Sequence, residues 1–583
     1  MRIRNELRRR FADALARALG DEHRDTDPLI RTAGNPQFGD FQANVAMSLG
    51  KRLGRKPREV AEQVADALDA DDLLVEPPAI AGPGFINLRL SDACLVRELM
   101  AMAGDDRLGV APAARPETVV LDYSAPNVAK GMHVGHLRST ILGDALARVL
   151  GFLGHGVRRQ NHLGDWGTQF GMLIEHMVDA GWTEPGDHAV ADLNAMYQAA
   201  KRKFDADPEF QKRSRLRVVR LQGGDADTLA LWRALIDESK RHFAEIYHRL
   251  GVLLTDADIA GESLYNRWLA DVVSELEAAG LAVPSEGALC IFPDGFQDKD
   301  GKPLPFLIRK GDGGYLYATT DLAAVRYRLR ELGATRLIYV TDARQRQHFA
   351  MLFAVVRATG WAGAEVRLEH VPFGMILGGD NKPFKTRTGG TVRLRDLLDE
   401  AVERARAIID EKDNQHLDAD ARQAVAEAIG IGAVKYGDLS NDRVKDYVFA
   451  WQRMLSFTGN TAPYLQNAYV RVRSIFRRAR ERGIATDLAG AALQLDEPNE
   501  RALALRLLQF SDAVTGVASS LEPHHLCTYL YELASELHQF YQACPVLPAE
   551  DDVRRSRLLL SDLVARTLKQ GLELLGIDVV ERM

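Results

Sequence analysis

The sequence predicts an α/β protein with a parallel sheet in its middle and helical regions on either side of that sheet. Three observations support this. A strand–helix–strand pattern begins at residue 118, strand-to-helix alternation returns from residue 314, and helical periodicity dominates from about residue 395. A chain of 583 residues is too long for one hydrophobic core, so we expect about three or four domains.

Residues 1–95 are expected to form an α+β module. The opening segment, MRIRNELRRRFADALARALG, has the pattern of an amphipathic helix and no apolar core or cleavage site of a signal peptide. The segment GPGFINLRL at 82–90 indicates a strand. Residues 103–117 are rich in Gly, Asp, Ala and Pro and indicate a linker to the next domain.

The central domain is expected over residues 117–395. TVVLDY at 118–123 is typical of a buried parallel strand, and GVRRQNHLG at 156–164 provides a second strand. Between them, apolar residues recur at helical spacing. This βαβ unit predicts a Rossmann-like, nucleotide-binding parallel sheet, with a helix-rich insertion between about residues 175 and 300.

Composition restricts the class of protein. Hydrophobic residues make up 46% and charged residues 27% of a chain with net charge −7, which is typical of a globular protein and argues against one that coats DNA. No apolar run is long enough to span a membrane. The four cysteines are scattered without a Cys-x-x-Cys pair, so we expect a reducing, cytoplasmic location without disulfides or a zinc knuckle.

The segment APNVAKGMHVGHLRS at 125–139 carries the strongest sign of chemistry. His133 and His136 lie where a strand gives way to a helix, and a helix N-terminus favours phosphate. An imidazole there can donate a hydrogen bond to a phosphate oxygen, and Gly135 leaves room for a flat ring such as adenine. Zinc ligation and ordinary helix decoration remain alternatives, although no third or fourth ligand is evident nearby.

The tetrapeptide His-Val-Gly-His at 133–136 resembles the His-Ile-Gly-His signature of class I aminoacyl-tRNA synthetases. The longer stretch from residue 122 to residue 171 closely resembles arginyl-tRNA synthetases, as do LCTYLYELASELHQFYQACPVL, LKQGLELLGIDVVERM and GDFQANVAM at 39–47. The resemblance extends over essentially the whole chain.

This resemblance implies that the protein is a ligase of protein biosynthesis. Arginine and ATP would form arginyl-adenylate, and the arginine would then pass to the 3′ end of tRNA(Arg). Mg²⁺ is expected to arrive on the nucleotide, with no metal held tightly by the protein, and the chain is expected to be a monomer. Residues 1–95 would be a tRNA-binding module, 396–460 a helical connector, and 461–583 an all-α anticodon-binding domain.

For ATP, the resemblance assigns His133, Gly135 and His136. The second signature of the class, Lys-Met-Ser-Lys-Ser, is absent, and the corresponding segment is GGDNKPFKTRTGG at 378–390. Lys385 and Arg387 are the nearest cations, and Lys385 is the candidate for ATP; the surrounding glycines suit a mobile loop that closes over phosphates. We also hypothesise that Lys130 supplies the positive charge that this loop lacks.

For arginine, a planar guanidinium with five donors requires carboxylates and neutral acceptors in fixed positions. The resemblance places contacts at Asn127, Tyr317, Asp321 and Gln345, with Asp321 as the guanidinium partner. A helix-stabilising role of Asp321 is the alternative. Asp122 and Ser124 beside the phosphate turn are further candidates.

For tRNA, the candidates are the N-terminal Asp40, Phe41 and Gln42, and Arg471 and Arg478 in the basic segment 471–483. RNA loops bind through base stacking on aromatic rings and through cations that contact phosphates. The C-terminal region offers such rings at Tyr464, Tyr469, Tyr529, Tyr531 and Tyr541.

Two other functions are alternatives to this one. One is a different enzyme with the same signature, either a synthetase for another amino acid or a small-molecule adenylyltransferase. The other is a catalytically silent tRNA-binding paralogue. The long helical C-terminal region argues against an adenylyltransferase, and the intact histidine pair argues against a silent paralogue.

Overall fold

A computed structural model describes residues 2–181, 193–384, 392–411 and 417–583. The N-terminal module is α+β, as predicted. Its elements are α1 (Arg2–Leu19), β1 (Ile30–Thr32), β2 (Phe41–Ala43), α2 (Val45–Leu53), α3 (Pro57–Asp66), β3 (Ala79–Ala81), β4 (Phe85–Leu88) and α4 (Asp92–Ala103). The strands form an antiparallel sheet in the order β1-β2-β4-β3. The amphipathic helix α1 buries Leu7, Phe11 and Leu15 against this module.

The central domain begins at residue 118. Its elements are β5 (Thr118–Asp122), α5 (Val134–Phe152), β6 (Gly156–Gln160), α6 (Gln169–Asp179), α7 (Leu193–Ala206), α8 (Pro208–Gln222), α9 (Ala226–Leu250), α10 (Glu262–Tyr265), α11 (Leu269–Ala278), β7 (Val283–Ser285), β8 (Ala288–Ile291), β9 (Phe306–Arg309), α12 (Tyr317–Arg330), β10 (Arg336–Asp342), α13 (Arg346–Ala358), β11 (Arg367–Phe373) and β12 (Ile376–Leu377).

The insertion is less purely helical than its sequence predicts. Helices α6 to α11 fill most of it, but β7, β8 and β9 form a separate antiparallel sheet. Short strands with a Pro or a Gly beside them carry little periodicity, which is why the sequence pattern did not reveal this sheet.

The C-terminal part is helical, as predicted, apart from one short strand. Its elements are α14 (Leu394–Glu411), α15 (Ala419–Leu439), β13 (Tyr447–Val448), α16 (Trp451–Met454), α17 (Ala462–Glu481), α18 (Pro498–Leu508), α19 (Phe510–Ser520), α20 (His524–Ala543) and α21 (Asp551–Leu574). Strand β13 pairs in parallel with β12 of the central domain. Among the described residues, no helix has the length and apolar character needed to cross a membrane.

The parallel sheet has the order β11-β10-β5-β6, and both of its faces are covered. Along β5, Val119 and Leu121 pack into the large core that includes α5, whereas Val120 packs into a second core with α12 and α13. This alternation follows from the two-residue period of a strand. Helix α5 approaches the sheet closely, because a Cβ on Gly143 would lie 2.3 Å from the Cβ of Tyr123.

Candidate active site

The site lies where the strand order of the sheet reverses. From β5 the chain crosses through α5 to β6 on one side, and it later returns to β10 on the other side of β5. In open α/β sheets, ligands bind in the crevice that this reversal creates at the carboxyl ends of the strands. The predicted site residues that follow β5 and β10 therefore reach the same edge of the sheet.

The turn after β5 is held in an uncommon backbone conformation. Ser124, Ala125 and Ala129 have φ values of 72°, 47° and 62°, a region that costs a residue with a side chain about 1–3 kcal/mol. The surroundings fix this turn: the Ala125 N–H donates to Asn161 Oδ1 at 3.0 Å, and the Ala129 N–H donates to Ser239 Oγ at 3.0 Å. Such strain is typical of a turn that positions ligand-binding groups.

The two histidines cap the N-terminus of α5. The Gly135 N–H donates to His133 Nδ1 at 3.0 Å, and the His133 N–H donates to His136 Nδ1 at 3.1 Å. Because both Nδ1 atoms accept hydrogen bonds, each neutral ring carries its proton on Nε2. Burial, with a smaller effect of Lys130, lowers the pKa of His133, and burial lowers the pKa of His136 to about 3. Both imidazoles are therefore neutral hydrogen-bond donors at physiological pH.

The segment that follows residue 391 is bound to the same turn. The Val134 N–H donates to the Val392 carbonyl at 3.0 Å, and the Leu394 N–H donates to the Met132 carbonyl at 2.9 Å. The described chain from Val392 onward therefore lies beside the histidine pair. Lys385 itself lies outside the described residues.

Lys130 lies against the insertion. Its Nζ is 4.3 Å from the centroid of the Tyr197 ring on α7, a distance at which a cation is attracted by the ring face. Its charge also contributes to the lowered pKa of both histidines.

Asp165, Glu262 and Asp321 form a cluster of acidic side chains at the candidate arginine pocket. Asp165 accepts hydrogen bonds from the N–H and the hydroxyl of Ser263 at 2.8 and 2.6 Å, and Glu262 is the residue before Ser263. Burial, together with the charges of Asp165 and Asp321, raises the pKa of Glu262 to about 7. A pocket that raises the pKa of a carboxyl group in this way favours a cationic ligand.

Tyr317 and Asp321 share this pocket through His348 on α13. His348 Nε2 lies 2.6 Å from Asp321 Oδ2, and its ring lies 5.2 Å from the ring of Tyr317. Tyr317 is 67% exposed, so its ring is open to a ligand. Gln345 lies just before α13, exposed and one turn from His348.

Asp122 and Ser124 lie in the interior. Asp122 Oδ2 pairs with Arg328 Nη2 at 2.6 Å, and Arg328 is fully buried. The Ser124 hydroxyl contacts Thr140 Oγ1 at 2.9 Å and Tyr247 Oη at 2.8 Å. These contacts show that both residues are bonded within the protein interior, which favours a structural role over the predicted contact with arginine. Asn127, in contrast, is exposed beside Gly164.

The N-terminal candidates for tRNA are also mostly interior. Phe41 is 1% exposed, and the Asp40 carboxylate binds Arg501 of α18. Gln42 is half-buried, and its amide donates to Asn87 Oδ1 at 2.9 Å. Asp40 and Phe41 are thus placed to support the fold of the module, and an RNA contact does not fit their positions.

The C-terminal candidates form a surface on α17 and α20. The Arg471 guanidinium lies 5.7 Å from the centroid of the exposed Tyr541 ring, and Arg478 is exposed. The half-buried rings of Tyr464 and Tyr531 are 5.7 Å apart. Tyr469 and Tyr529 are buried and are therefore parts of the core.

The predictions from sequence missed Glu262 and His348. Neither belongs to a recognisable motif, and both reach the pocket through packing of the insertion and of α13. Within the described part of the chain, the one group of three side chains arranged to ligate a metal is Glu522, His524 and His525. It lies at the junction of α19 and α20, so the zinc alternative for the histidine pair finds no support there.

Comparison with known proteins agrees with this geometry. Residues 99–451 match the family model described as tRNA synthetases class I (R), catalytic domain. Residues 5–90 match the arginyl tRNA synthetase N terminal domain, and residues 465–583 match the DALR anticodon binding domain. The parallel sheet and its histidine pair are thus those of a class I aminoacyl-tRNA synthetase.

Whole-chain relatives are more specific. The chain is 52% identical to the arginine–tRNA ligase of a Synechococcus strain and 52% identical to that of Thermobifida fusca, each over 99% of both chains. The arginyl-tRNA synthetase structure from Plasmodium falciparum superposes with a TM-score of 0.86 at 29% identity, covering 100% of this chain and 99% of that one. The one from Thermus thermophilus gives 0.80 at 26% identity, covering 100% of both. The chain belongs to the arginyl-tRNA synthetase family, which confirms the predicted fold class and the resemblance.

Proposed function

We propose that the chain activates L-arginine with ATP and transfers it to the 3′ end of tRNA(Arg). One observation carries this proposal: two neutral imidazoles at a helix N-terminus lie on the same sheet edge as a pocket of carboxylates. The first feature suits a phosphate, and the second suits a guanidinium.

In the activation step, a carboxylate oxygen of arginine attacks the α-phosphorus of ATP. A new P–O bond forms, the bond to the β-phosphate oxygen breaks, and pyrophosphate leaves with that electron pair. The Nε2–H groups of His133 and His136 donate to phosphate oxygens on which negative charge increases. Because their Nδ1 atoms are held by backbone N–H groups, these donors need no reorganisation, which is the condition for efficient electrostatic stabilisation.

Positive charge at the phosphates has several sources in this proposal. Mg²⁺ would come with the nucleotide, Lys130 lies near the histidines, and Lys385 of the glycine-rich segment would add a further cation. Gly135 is exposed and without a side chain, which lets the adenine approach the start of α5.

Arginine is recognised through its guanidinium. Asp321 and Glu262 accept hydrogen bonds from its planar donors, and the exposed Tyr317 ring covers it. His348 donates from Nε2 to one oxygen of Asp321, which orients the carboxylate and leaves the other oxygen for the ligand. Asn127 and Gln345 bind the remaining polar groups of arginine.

The tRNA is bound by the surface on α17 and α20, where Arg471 and Arg478 contact phosphates and Tyr541 stacks on a base. In the N-terminal module, Gln42 remains the candidate for a contact with the tRNA. The protein acts as a monomer in the cytoplasm.

The decisive test is aminoacylation of total tRNA with each of the twenty labelled amino acids, with ATP and Mg²⁺ supplied. Arginine alone should be incorporated, and a His133→Ala/His136→Ala variant should lose incorporation while it retains tRNA binding. Incorporation of another amino acid, or tight tRNA binding without any incorporation, would overturn the proposal.

A further inference from the structure

The insertion holds three successive residues of the phosphate turn. Ser239 of α9 accepts from the Ala129 N–H at 3.0 Å, and Asn194 of α7 accepts from the Gly131 N–H through Oδ1 at 3.0 Å. Between these two hydrogen bonds, Lys130 places its Nζ 4.3 Å from the centroid of the Tyr197 ring. The turn before the histidines is therefore positioned by α7 and α9 of the insertion, which lie outside the sheet and far from this turn in sequence.

The supports of this turn are themselves fixed. Ser239 is fully buried, and its hydroxyl donates to the Leu235 carbonyl at 2.7 Å. Asn194 and Tyr197 are half-buried and lie one turn apart on α7. Residues three apart lie on the same face of a helix. The Asn194 amide can therefore contact Gly131 while the Tyr197 ring contacts the neighbouring Lys130.

Within the described chain, the partner of the Lys130 ammonium is an aromatic ring and not a carboxylate, which determines whether its charge stays available to a ligand. Across the described residues, no carboxylate lies within ion-pair distance of its Nζ. A carboxylate partner would neutralise the ammonium and compete with the phosphates of ATP. An aromatic ring fixes the position of the ammonium and leaves its positive charge available for a phosphate.

We propose that Tyr197 is a positioning residue for Lys130, and that the N-terminal part of α7 thereby sets where the cation meets the phosphates of ATP. This inference rests on the proposed role of Lys130 in activation. Asn194 fixes the backbone on which that lysine is carried, and Tyr197 fixes the end of its side chain. The insertion thus takes part in the activation step without touching the substrate.

The test compares Tyr197→Leu with Tyr197→Phe, each made in the wild-type chain and in Lys130→Ala. Arginine activation is measured as ATP–pyrophosphate exchange with tRNA present, at enzyme concentrations high enough to follow the slow variants. Tyr197→Leu should lower kcat by about tenfold, since it removes the ring face. Tyr197→Phe keeps the ring and should stay within about twofold of wild type, and the KM for arginine should not change in either.

The Lys130→Ala background separates positioning from general packing. If Tyr197 acts through Lys130, Tyr197→Leu should have no further effect once the lysine is gone. Three results would overturn the inference. Tyr197→Leu could lower kcat equally in both backgrounds, or it could lower kcat in neither. Tyr197→Phe could also lower kcat as much as Tyr197→Leu does. The wild-type chain still incorporates arginine in all these cases, so failure of the inference is distinct from failure of the proposed function.

Discussion

Arg501 of α18 and Asp40 of the N-terminal module form a bidentate ion pair across the junction of their two domains. Arg501 Nη1 and Nη2 donate to the two oxygens of Asp40 at 2.9 and 2.8 Å. Asp40 also accepts the Leu90 N–H at 2.8 Å, and Arg501 Nε donates to Asp92 at 3.0 Å. This network fixes how the N-terminal module sits on the helical domain, which matches the anticodon binding domain of the family.

Asp40→Ala should loosen this junction. Because Arg501 is only half-buried, removing Asp40 should cost less than the about 3–5 kcal/mol that is typical of a fully buried pair. We expect faster proteolysis within the linker at 103–117 and a higher KM for tRNA, with the KM for ATP unchanged. The exposed Asp71→Ala is the matched control. Identical proteolysis and tRNA kinetics in the two variants would show that the pair does not hold the junction.

Asp122→Asn tests whether Asp122 supports the fold or binds arginine. Arg328 is buried and donates to Gln160 Oε1 at 2.7 Å and to Asp122 Oδ2 at 2.6 Å. In the variant, Arg328 keeps the hydrogen bond to Gln160 but loses the negative charge of Asp122. We therefore expect a loss of about 3–5 kcal/mol in the free energy of unfolding, largely restored in Asp122→Asn/Arg328→Met. Denaturant unfolding measures both. A fully stable Asp122→Asn with a sharply raised KM for arginine would instead identify Asp122 as an arginine ligand.

Much of the fold could be predicted because its signals are local. The β-branched run of β5, the apolar spacing of α5 and the glycines after it are sufficient to define the βαβ unit. The histidine pair could be predicted for the same reason, since its caps and its helix lie within a few residues of one another. The two short strands β7 and β8 carried no comparable signal.

Two of the acidic candidates have partners that are distant in sequence. Asp122 meets Arg328 206 residues away, and Asp40 meets Arg501 461 residues away. A sequence does not show whether a carboxylate is free to bind a ligand or is paired with an arginine side chain elsewhere in the protein. Glu262 was missed for the converse reason, because only the packing of the insertion brings it near Asp165 and Asp321.

His133→Asn separates the two roles of His133. Asparagine is a favourable N-cap, so it should replace Nδ1 as the acceptor of the Gly135 N–H and keep the free energy of unfolding within about 1 kcal/mol. It cannot place a donor where Nε2–H lies, so activation should fall by about 10²–10³-fold. ATP–pyrophosphate exchange with tRNA and thermal unfolding measure the two effects. His133→Ala should lower both the free energy of unfolding and the rate of activation. Equal activity in His133→Asn and wild type would show that His133 serves only as the helix N-cap.

Glu262→Gln should change both the strength and the pH dependence of arginine binding. With a pKa of about 7, Glu262 is largely protonated at pH 6 and ionised at pH 8, and only the ionised form attracts a guanidinium strongly. In the wild-type enzyme, the KM for arginine should therefore rise as the pH falls below about 7, by up to about tenfold per pH unit. Glu262→Gln should have a high KM that no longer varies in this window, whereas the exposed Glu331→Gln should behave as wild type. If the pH dependence persists in Glu262→Gln, a different group titrates, and Asp165, whose pKa burial also raises, is the next carboxyl group to replace.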